Sequence, residues 1–359
     1  MIRILDLHGS PADIGRQHGE QVAALRPLVL ASIGRRRAEF QDGGVDTTPY
    51  VDEISALWRR YTPETLEMLR GIAAALELDW DGYLSYVISP YIAVRLSWPR
   101  QRTVWDDGCT TWAASTPIAV GPLVMAKNRD HHPEQRPLQC LARVAPARGQ
   151  RYLCVTTAGA PGVASSGINE VGLAVADTYV ASTDVGPGIG RYSLMATLLE
   201  RCSTIDEAIR QMRSQPHFGN GTVIVGDAQG DKAVLEIAHT AQAVVRSDDG
   251  CIVSTNHFTA ATTRRSSLRG DPRGSKADTV ARRARVERQL HEARGSVDIA
   301  WAQALMAEHG ETANAICRHV DADPDEITIS TAVFEPRARM LHFADGRPCE
   351  VRFSSLAVA

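Results

Sequence analysis

The chain has 359 residues, 44% hydrophobic and 23% charged, which suits a globular protein with one large core or two. Its net charge of −3 gives no general attraction for nucleic acid, and no run approaches the ~20 apolar residues of a membrane span. The first eight residues lack the apolar centre and cleavage site of a secretory signal, and seven scattered cysteines without a C-x-x-C pair indicate neither a disulfide framework nor a zinc site.

The first hundred residues read as helical. Ser10, Pro11 and Asp13 supply a capping hydroxyl, a proline at the first helical position and an acid in the first turn. This helix is expected to run past Gly15, His18 and Gly19 to about Arg37, with His18 at the surface or a cap. A second helix starts at Thr62 and Pro63, with Leu66, Leu69, Ala73 and Leu76 on one face, and a third at Asp79. Beyond residue 109 the pattern turns to strands, at 110–114, 123–126, 138–144 and 152–157. A hairpin over 163–176 turns at Asn169 and Glu170. Helices are expected over 192–202 and 205–213, the latter opened by the capping box of Thr204 and Glu207. Strands return at 222–226, 233–238, 243–246 and 251–255. Residues 262–288 are rich in arginine and read as a solvated loop and helix face, or as a landing site for the phosphates of a substrate such as an acyl-coenzyme A. A helix over 297–309 and a closing hairpin, 328–334 with 339–343, complete an α+β layered order.

One stretch carries chemistry. Asp106, Asp107 and Gly108 precede Cys109 at the mouth of a strand, and Thr110 and Thr111 follow. Gly108 lacks a Cβ, so a nucleophile can approach its carbonyl closely. Attack by the Cys109 thiol on that carbonyl, then hydrolysis, would leave Cys109 as a new N-terminus with thiol and α-amine together. A free α-amine titrates near 7.7–8.0, so it can serve as the thiol's own base. The plainer alternative is a buried structural thiol. A reducing, cytoplasmic setting fits this cysteine usage.

Several stretches in order are similar to one family. They are Gly9 with Gly15, His18 and Gly19; Asp107, Gly108, Cys109, Thr110 and Thr111; Lys127, Asn128, Arg129 and Asp130; the hairpin from Gly167 to Val175; Asn256 and His257; and Ile316, Cys317 and Arg318. Together they resemble the isopenicillin-N acyltransferase family of N-terminal-nucleophile hydrolases. The resemblance implies a four-layer αββα sandwich with two antiparallel sheets between helix layers. It also implies a precursor that cleaves itself between Gly108 and Cys109, and acyl transfer through a thioester. Carried over by position, Cys109 is the nucleophile, Asn256 the oxyanion donor and Asp130 an active-site carboxylate. Thr110 and Thr111 line the site. Residues 323–328 depart from the family, carrying no arginine where its best-known member has an essential one; Arg318 matches another position. Penicillin chemistry is therefore not implied.

The expectation is a mainly helical small chain, 1–108, and a catalytic large chain, 109–359, forming one composite domain and staying associated after cleavage. The enzyme transfers or hydrolyses acyl groups of a small-molecule amide or acyl-coenzyme A, with no cofactor, no metal, no nucleic acid and no membrane partner. Two alternatives stay open: an unprocessed thiol hydrolase in which His257, at the pocket, is the base for Cys109, or a catalytically silent binding protein.

Overall fold

The computed structural model describes residues 2–95, 108–267, 275–310, 315–319 and 327–358. Strand β1 (Arg3–Gly9) is followed by helices α1 (Pro11–Gln21), α2 (Arg26–Asp42), α3 (Thr48–Tyr61), α4 (Pro63–Ala75), α5 (Trp80–Val87) and α6 (Ser89–Arg95). Then come β2 (Thr110–Ser115), β3 (Leu123–His131), β4 (Gln139–Pro146), β5 (Tyr152–Thr157), β6 (Ser166–Asn169) and β7 (Ala174–Tyr179). Helices α7 (Arg191–Arg201) and α8 (Ile205–Arg213) lead to β8 (Gly221–Gly226), β9 (Lys232–Ile237), β10 (Gln242–Val245) and β11 (Cys251–Ser254). Helices α9 (Ser275–Glu292) and α10 (Ile299–Met306) precede β12 (Ile327–Glu335), β13 (Met340–Ala344) and β14 (Ser354–Ala357).

The strands form two sheets, ordered β1-β4-β5-β6-β7-β8-β9-β10 and β11-β2-β3-β12-β13-β14. Alternate side chains of both sheets meet between them: Ala113 and Met125 from one, Leu141, Leu153 and Ile168 from the other. The opposite face of the first sheet is covered by α1, α4, α7 and α8, through Ile14, Leu69, Leu194 and Ile209. The opposite face of the second is covered by α9 and α10, where Val286, Leu290 and Leu305 pack on Trp112 and Ala126. Four layers, helix–sheet–sheet–helix, follow from strands that are apolar on both faces.

The helical segment holds three departures from expectation. β1 is a strand, joined to β4 in parallel, so the larger sheet is mixed rather than antiparallel. Leu5 and Leu7 turn to the helices and are buried, Ile2 and Ile4 turn partly buried to the inter-sheet core, and Arg3, Asp6 and His8 stay exposed on this edge strand. The expected long helix ends at Gln21, and a 3₁₀ turn over Ala23–Leu25 re-aims the chain into α2. His18 is buried, not superficial: its Nε2 accepts the Gly159 N–H at 3.0 Å. It is drawn in because α1 crosses α4 with almost no gap. A Cβ on Gly15 would lie 2.0 Å from the Met68 carbonyl oxygen, and one on Gly71 2.5 Å from that of Ala12.

Candidate active site

Cys109 is fully buried and immediately precedes β2, an interior strand of the six-stranded sheet. β2 runs antiparallel to β3 with Thr110 opposite Asn128. Continuing that register brings Cys109 opposite Arg129 and Gly108 opposite Asp130. Side-chain parity then divides the neighbourhood. Thr110, Trp112 and Ala114 turn toward α9 and α10, while Thr111 and Ala113 turn toward the other sheet, the side to which Cys109 belongs.

On the α9 side the dominant group is Arg282, whose guanidinium is almost wholly buried. Its Nη1 donates to the carbonyl oxygens of Gly108 at 2.8 Å and Cys109 at 3.0 Å, and to Thr110 Oγ1 at 2.8 Å. Two hydrogens serve three acceptors, so one of these bonds is shared. Nη2 donates to Asn256 Oδ1 at 2.8 Å, and Nε to Asp278 Oδ1 at 3.1 Å. The other oxygen of Asp278 pairs with Arg318 Nη2. Arg318 Nε faces Asp130 Oδ2 at 3.7 Å, and Asp130 Oδ1 accepts from Thr328 Oγ1 at 2.6 Å. An alternating run of carboxylates and guanidiniums therefore links Asp130 to the peptide at Gly108 and Cys109. Burial raises the Asp130 carboxyl above its ordinary value, against the pull of Arg318 and then Arg282. Asp130 Oδ2 is buried with no hydrogen-bond partner among the described residues.

Asn256 follows β11. Its Nδ2 donates to the Tyr179 carbonyl at 3.0 Å, and its backbone N–H to Thr279 Oγ1 at 2.7 Å. The guanidinium on Oδ1 and the carbonyl on Nδ2 fix which end of the amide is which. His257 presents Nδ1 to the hydroxyls of Thr279 at 3.0 Å and Thr255 at 3.2 Å. Asn128, beside Asp130 in sequence, donates to the Met306 and Ile316 carbonyls at 2.9 and 2.8 Å and holds α10 against the sheet.

Between the layers, Lys127 Nζ reaches Asp177 Oδ1 at 2.5 Å, and Arg191 Nε reaches Oδ2 at 3.0 Å. Burial pushes the Asp177 carboxyl up, but Lys127 and Arg191 outweigh it and hold it below its ordinary value. Arg191 and Asn220 continue into the wall of a mostly apolar cavity of about 80 Å³ that opens to solvent, shared with Arg129, Tyr179, Trp58 and Phe218. Arg129 and Tyr179 bring this cavity to the Cys109 and Asn256 side of the sheet. Trp58 and Tyr86 on its wall come from the helical segment upstream of Gly108.

The structure thus gathers Gly108, Cys109, Thr110 and Asn256 around one guanidinium, with Asp130 joined through Arg318. Thr110 turns away from the cavity to hold Arg282. Thr111 donates to the Ser254 carbonyl at 3.1 Å and ties β2 to β11. Asp106, Asp107 and residues 323–326 lie outside the described residues. Although residues 327–328 carry no arginine, two arginines from elsewhere, Arg318 and Arg282, surround Asp130. The reading of 262–288 as a solvated face fails at Arg282. Its spacing was a legible signal, because Thr279, Arg282, Val286 and Leu290 recur on one side of α9 and all four are buried.

Two sheets between helix layers, with a cysteine at the head of a central strand, define the architecture of the N-terminal-nucleophile hydrolases. Residues 120–350 match the family described as acyl-coenzyme A:6-aminopenicillanic acid acyl-transferase, and the chain belongs to that family. The family is one of acyl-transferring enzymes; the matched stretch begins downstream of Cys109. No curated protein matches in sequence. Among solved structures, the chain is similar to a mutant conjugated bile acid hydrolase from Clostridium perfringens, at 12% identity and a TM-score of 0.45, covering 69% of this chain and 92% of that one. It is also similar to a Caenorhabditis elegans N-acylethanolamine-hydrolyzing acid amidase ortholog, at 17% and 0.46, covering 64% and 93%. Penicillin V acylase from Agrobacterium tumefaciens follows at 14% and 0.38, covering 67% and 76%. All three are too distant to add to the family match and the order of the layers. Among the described residues, no helix is long and apolar enough to cross a membrane.

Proposed function

We propose that the chain is a self-processing cysteine enzyme that moves acyl groups on or off amines through a thioester on Cys109. The observation that carries this is Arg282 Nη1, 2.8 Å from the Gly108 carbonyl oxygen. If Cys109 Sγ attacks the Gly108 carbonyl carbon, negative charge builds on that oxygen, and a buried guanidinium is a donor suited to it. The C–N bond to Cys109 then breaks, the thiol proton ends on the departing nitrogen, and the Gly108 acyl group rests on sulfur. Water hydrolyses this thioester, leaving a Gly108 carboxylate and a Cys109 bearing free thiol and free amine.

The new amine is generated near Asp130, whose Oδ2 faces Arg318 Nε at 3.7 Å but has no hydrogen-bond partner among the described residues and can accept from it. In turnover the amine takes the thiol proton as Sγ attacks a substrate carbonyl, then passes it to the leaving amine. The side-chain amide of Asn256 is the donor for the substrate oxyanion in this reading. Water as acceptor gives hydrolysis and an amine gives transfer. The apolar cavity suits an apolar acyl group. In α9, Arg282, Arg283, Arg285 and Arg288 are each matched with an acid, which favours a simple amide over a phosphate-bearing acyl-coenzyme A donor. The seven cysteines, none in a disulfide, fit a reducing compartment such as the cytoplasm.

Intact-mass measurement tests the cleavage. Purified protein is expected as two associated pieces, 1–108 and 109–359, and Cys109→Ala as a single chain. An active enzyme that stays full length after long incubation would overturn the proposal and return His257 as the base.

A further inference from the structure

A second cluster lies on the surface beyond Arg318. His309, after α10, Cys317 and His319, before β12, and Cys349, after β13, converge so that their four ligand atoms all lie within 4.8 Å of one another. Cys317 Sγ and Cys349 Sγ are 3.5 Å apart, too far for a disulfide. His319 Nε2 is 3.8 Å from Cys317 Sγ, 3.3 Å from Cys349 Sγ and 3.0 Å from His309 Nε2. One ring nitrogen has either one proton or one lone pair, so it cannot satisfy three such neighbours by hydrogen bonding. A shared cation can. Tetrahedral zinc with Zn–S of about 2.3 Å and Zn–N of about 2.0–2.1 Å sets S–S, S–N and N–N edges of roughly 3.8, 3.6 and 3.3 Å. Four of the six edges match these within about 0.3 Å, and the other two, from His309 to the sulfurs, lie within 4.8 Å. The two imidazoles stand nearly perpendicular, at 78°, as two rings sharing one centre can.

We infer that His309, Cys317, His319 and Cys349 form a structural zinc site. Two thiolates and two imidazoles are a donor set suited to Zn²⁺, and four protein ligands close its coordination. The surroundings support the ligands. His319 Nδ1 faces Glu350 Oε1 at 3.8 Å, the Cys317 N–H donates to the Glu308 carbonyl at 2.9 Å, and Arg285 Nη2 donates to the His309 carbonyl at 2.6 Å. The inference departs from the sequence expectation of no metal, which rested on spacing: three separate stretches supply the ligands, and none contains a C-x-x-C pair. Cys317 and His319 also flank Arg318, so the ion would fix the backbone on both sides of the residue that faces Asp130.

Full-length protein, expressed in zinc-supplemented medium and purified without chelator, tests this by metal analysis. Roughly one zinc per chain is expected, together with loss of that zinc in Cys349→Ser and in Cys317→Ser/Cys349→Ser, and retention in Cys140→Ser. His309 is exposed, so His309→Ala gives a second variant expected to fold and to lose affinity. Cobalt substitution of the wild type should give the intense visible absorption of a tetrahedral centre with thiolate charge transfer. Chelation should lower the melting temperature by several degrees, and Zn²⁺ should restore it. These readouts do not depend on self-cleavage or turnover. Folded wild-type protein that takes up neither Zn²⁺ nor Co²⁺, zinc retained in the double cysteine variant, or a Cys317–Cys349 disulfide in protein kept under reductant would each overturn the inference.

Discussion

Arg282 is a single residue with five donors and acceptors on three of its nitrogens, and removing it leaves the Gly108 and Cys109 carbonyls without their cation and the Asp278 carboxylate with Arg318 alone. Arg282→Lys keeps the charge but not the fork that reaches Gly108, Asn256 and Asp278 together. Self-cleavage in Arg282→Lys is expected to slow by roughly 10²–10³, the usual cost of losing one oxyanion donor. Time-resolved intact mass of freshly translated protein measures it. Asn256→Ala should instead lower kcat by a similar factor in enzyme made directly as two chains, with KM little changed. Unaltered cleavage in Arg282→Lys would make the guanidinium a strand anchor only. Cys109 stands out in the sequence through Gly108 and the strand behind it, whereas Asn256 and Asp130 come only with the family resemblance, and Asn256→Ala tests the first of these two roles. Arg282 was hidden among neighbouring arginines, and only the period of its helix sets it apart.

At the scale of elements, the crossing of α1 and α4 governs how the helical layer responds to pH. It forces His18 inside, where burial pushes its pKa from 6.5 down to about 4 and the Gly159 N–H occupies Nε2. In the unfolded chain this imidazole titrates near 6.5. Between those pH values the unfolded chain binds a proton that the fold refuses. Stability from His18 is therefore complete above about pH 6.5, falls as the pH drops, and levels off below about 4. The total is on the order of 3 kcal/mol. His18→Gln can still accept from Gly159 but does not titrate. Its melting temperature should fall less than that of wild type between pH 6.5 and 4, and parallel curves would assign the acid lability to other buried groups such as His217. Helix starts were legible here, from Ser10, Asp79 and Thr204, since a cap is a local hydrogen bond. The break after Gln21 and the strand β1 were not, because each depends on a distant partner.

For the whole molecule, the alternation of helical and strand patterns was enough to read a layered α+β domain, the family resemblance supplied the four layers, and the hairpin at Asn169 and the pair β12 and β13 closed where expected. What the pattern could not carry was the seam between the two segments on either side of Gly108. That seam is extensive. β1 pairs with β4 over seven residues, from Arg3 with Cys140 to Gly9 with Pro146. Trp58 Nε1 donates to the Gly188 carbonyl at 2.9 Å, and Tyr83 Oη to that of Gly159 at 2.8 Å. Leu5, Ile14, Leu69 and Tyr91 are buried in one core with residues of strands and helices downstream of Gly108. Cleavage at one peptide removes none of these contacts, so the two pieces should co-elute in gel filtration and melt in one transition close to that of the Cys109→Ala precursor. Separation is expected only in denaturant. The large piece expressed alone would expose the face of β4, β5 and β7, with Val144, Tyr152 and Val175, and should aggregate unless the small piece is co-expressed. Because Trp58 and Tyr86 also line the cavity, a rescued pair carrying Trp58→Ala in the small piece should keep its cleaved state yet show a raised KM for apolar acyl substrates. A large piece that is monomeric, soluble and active by itself would show that the helical segment is neither the second half of the core nor part of the substrate wall.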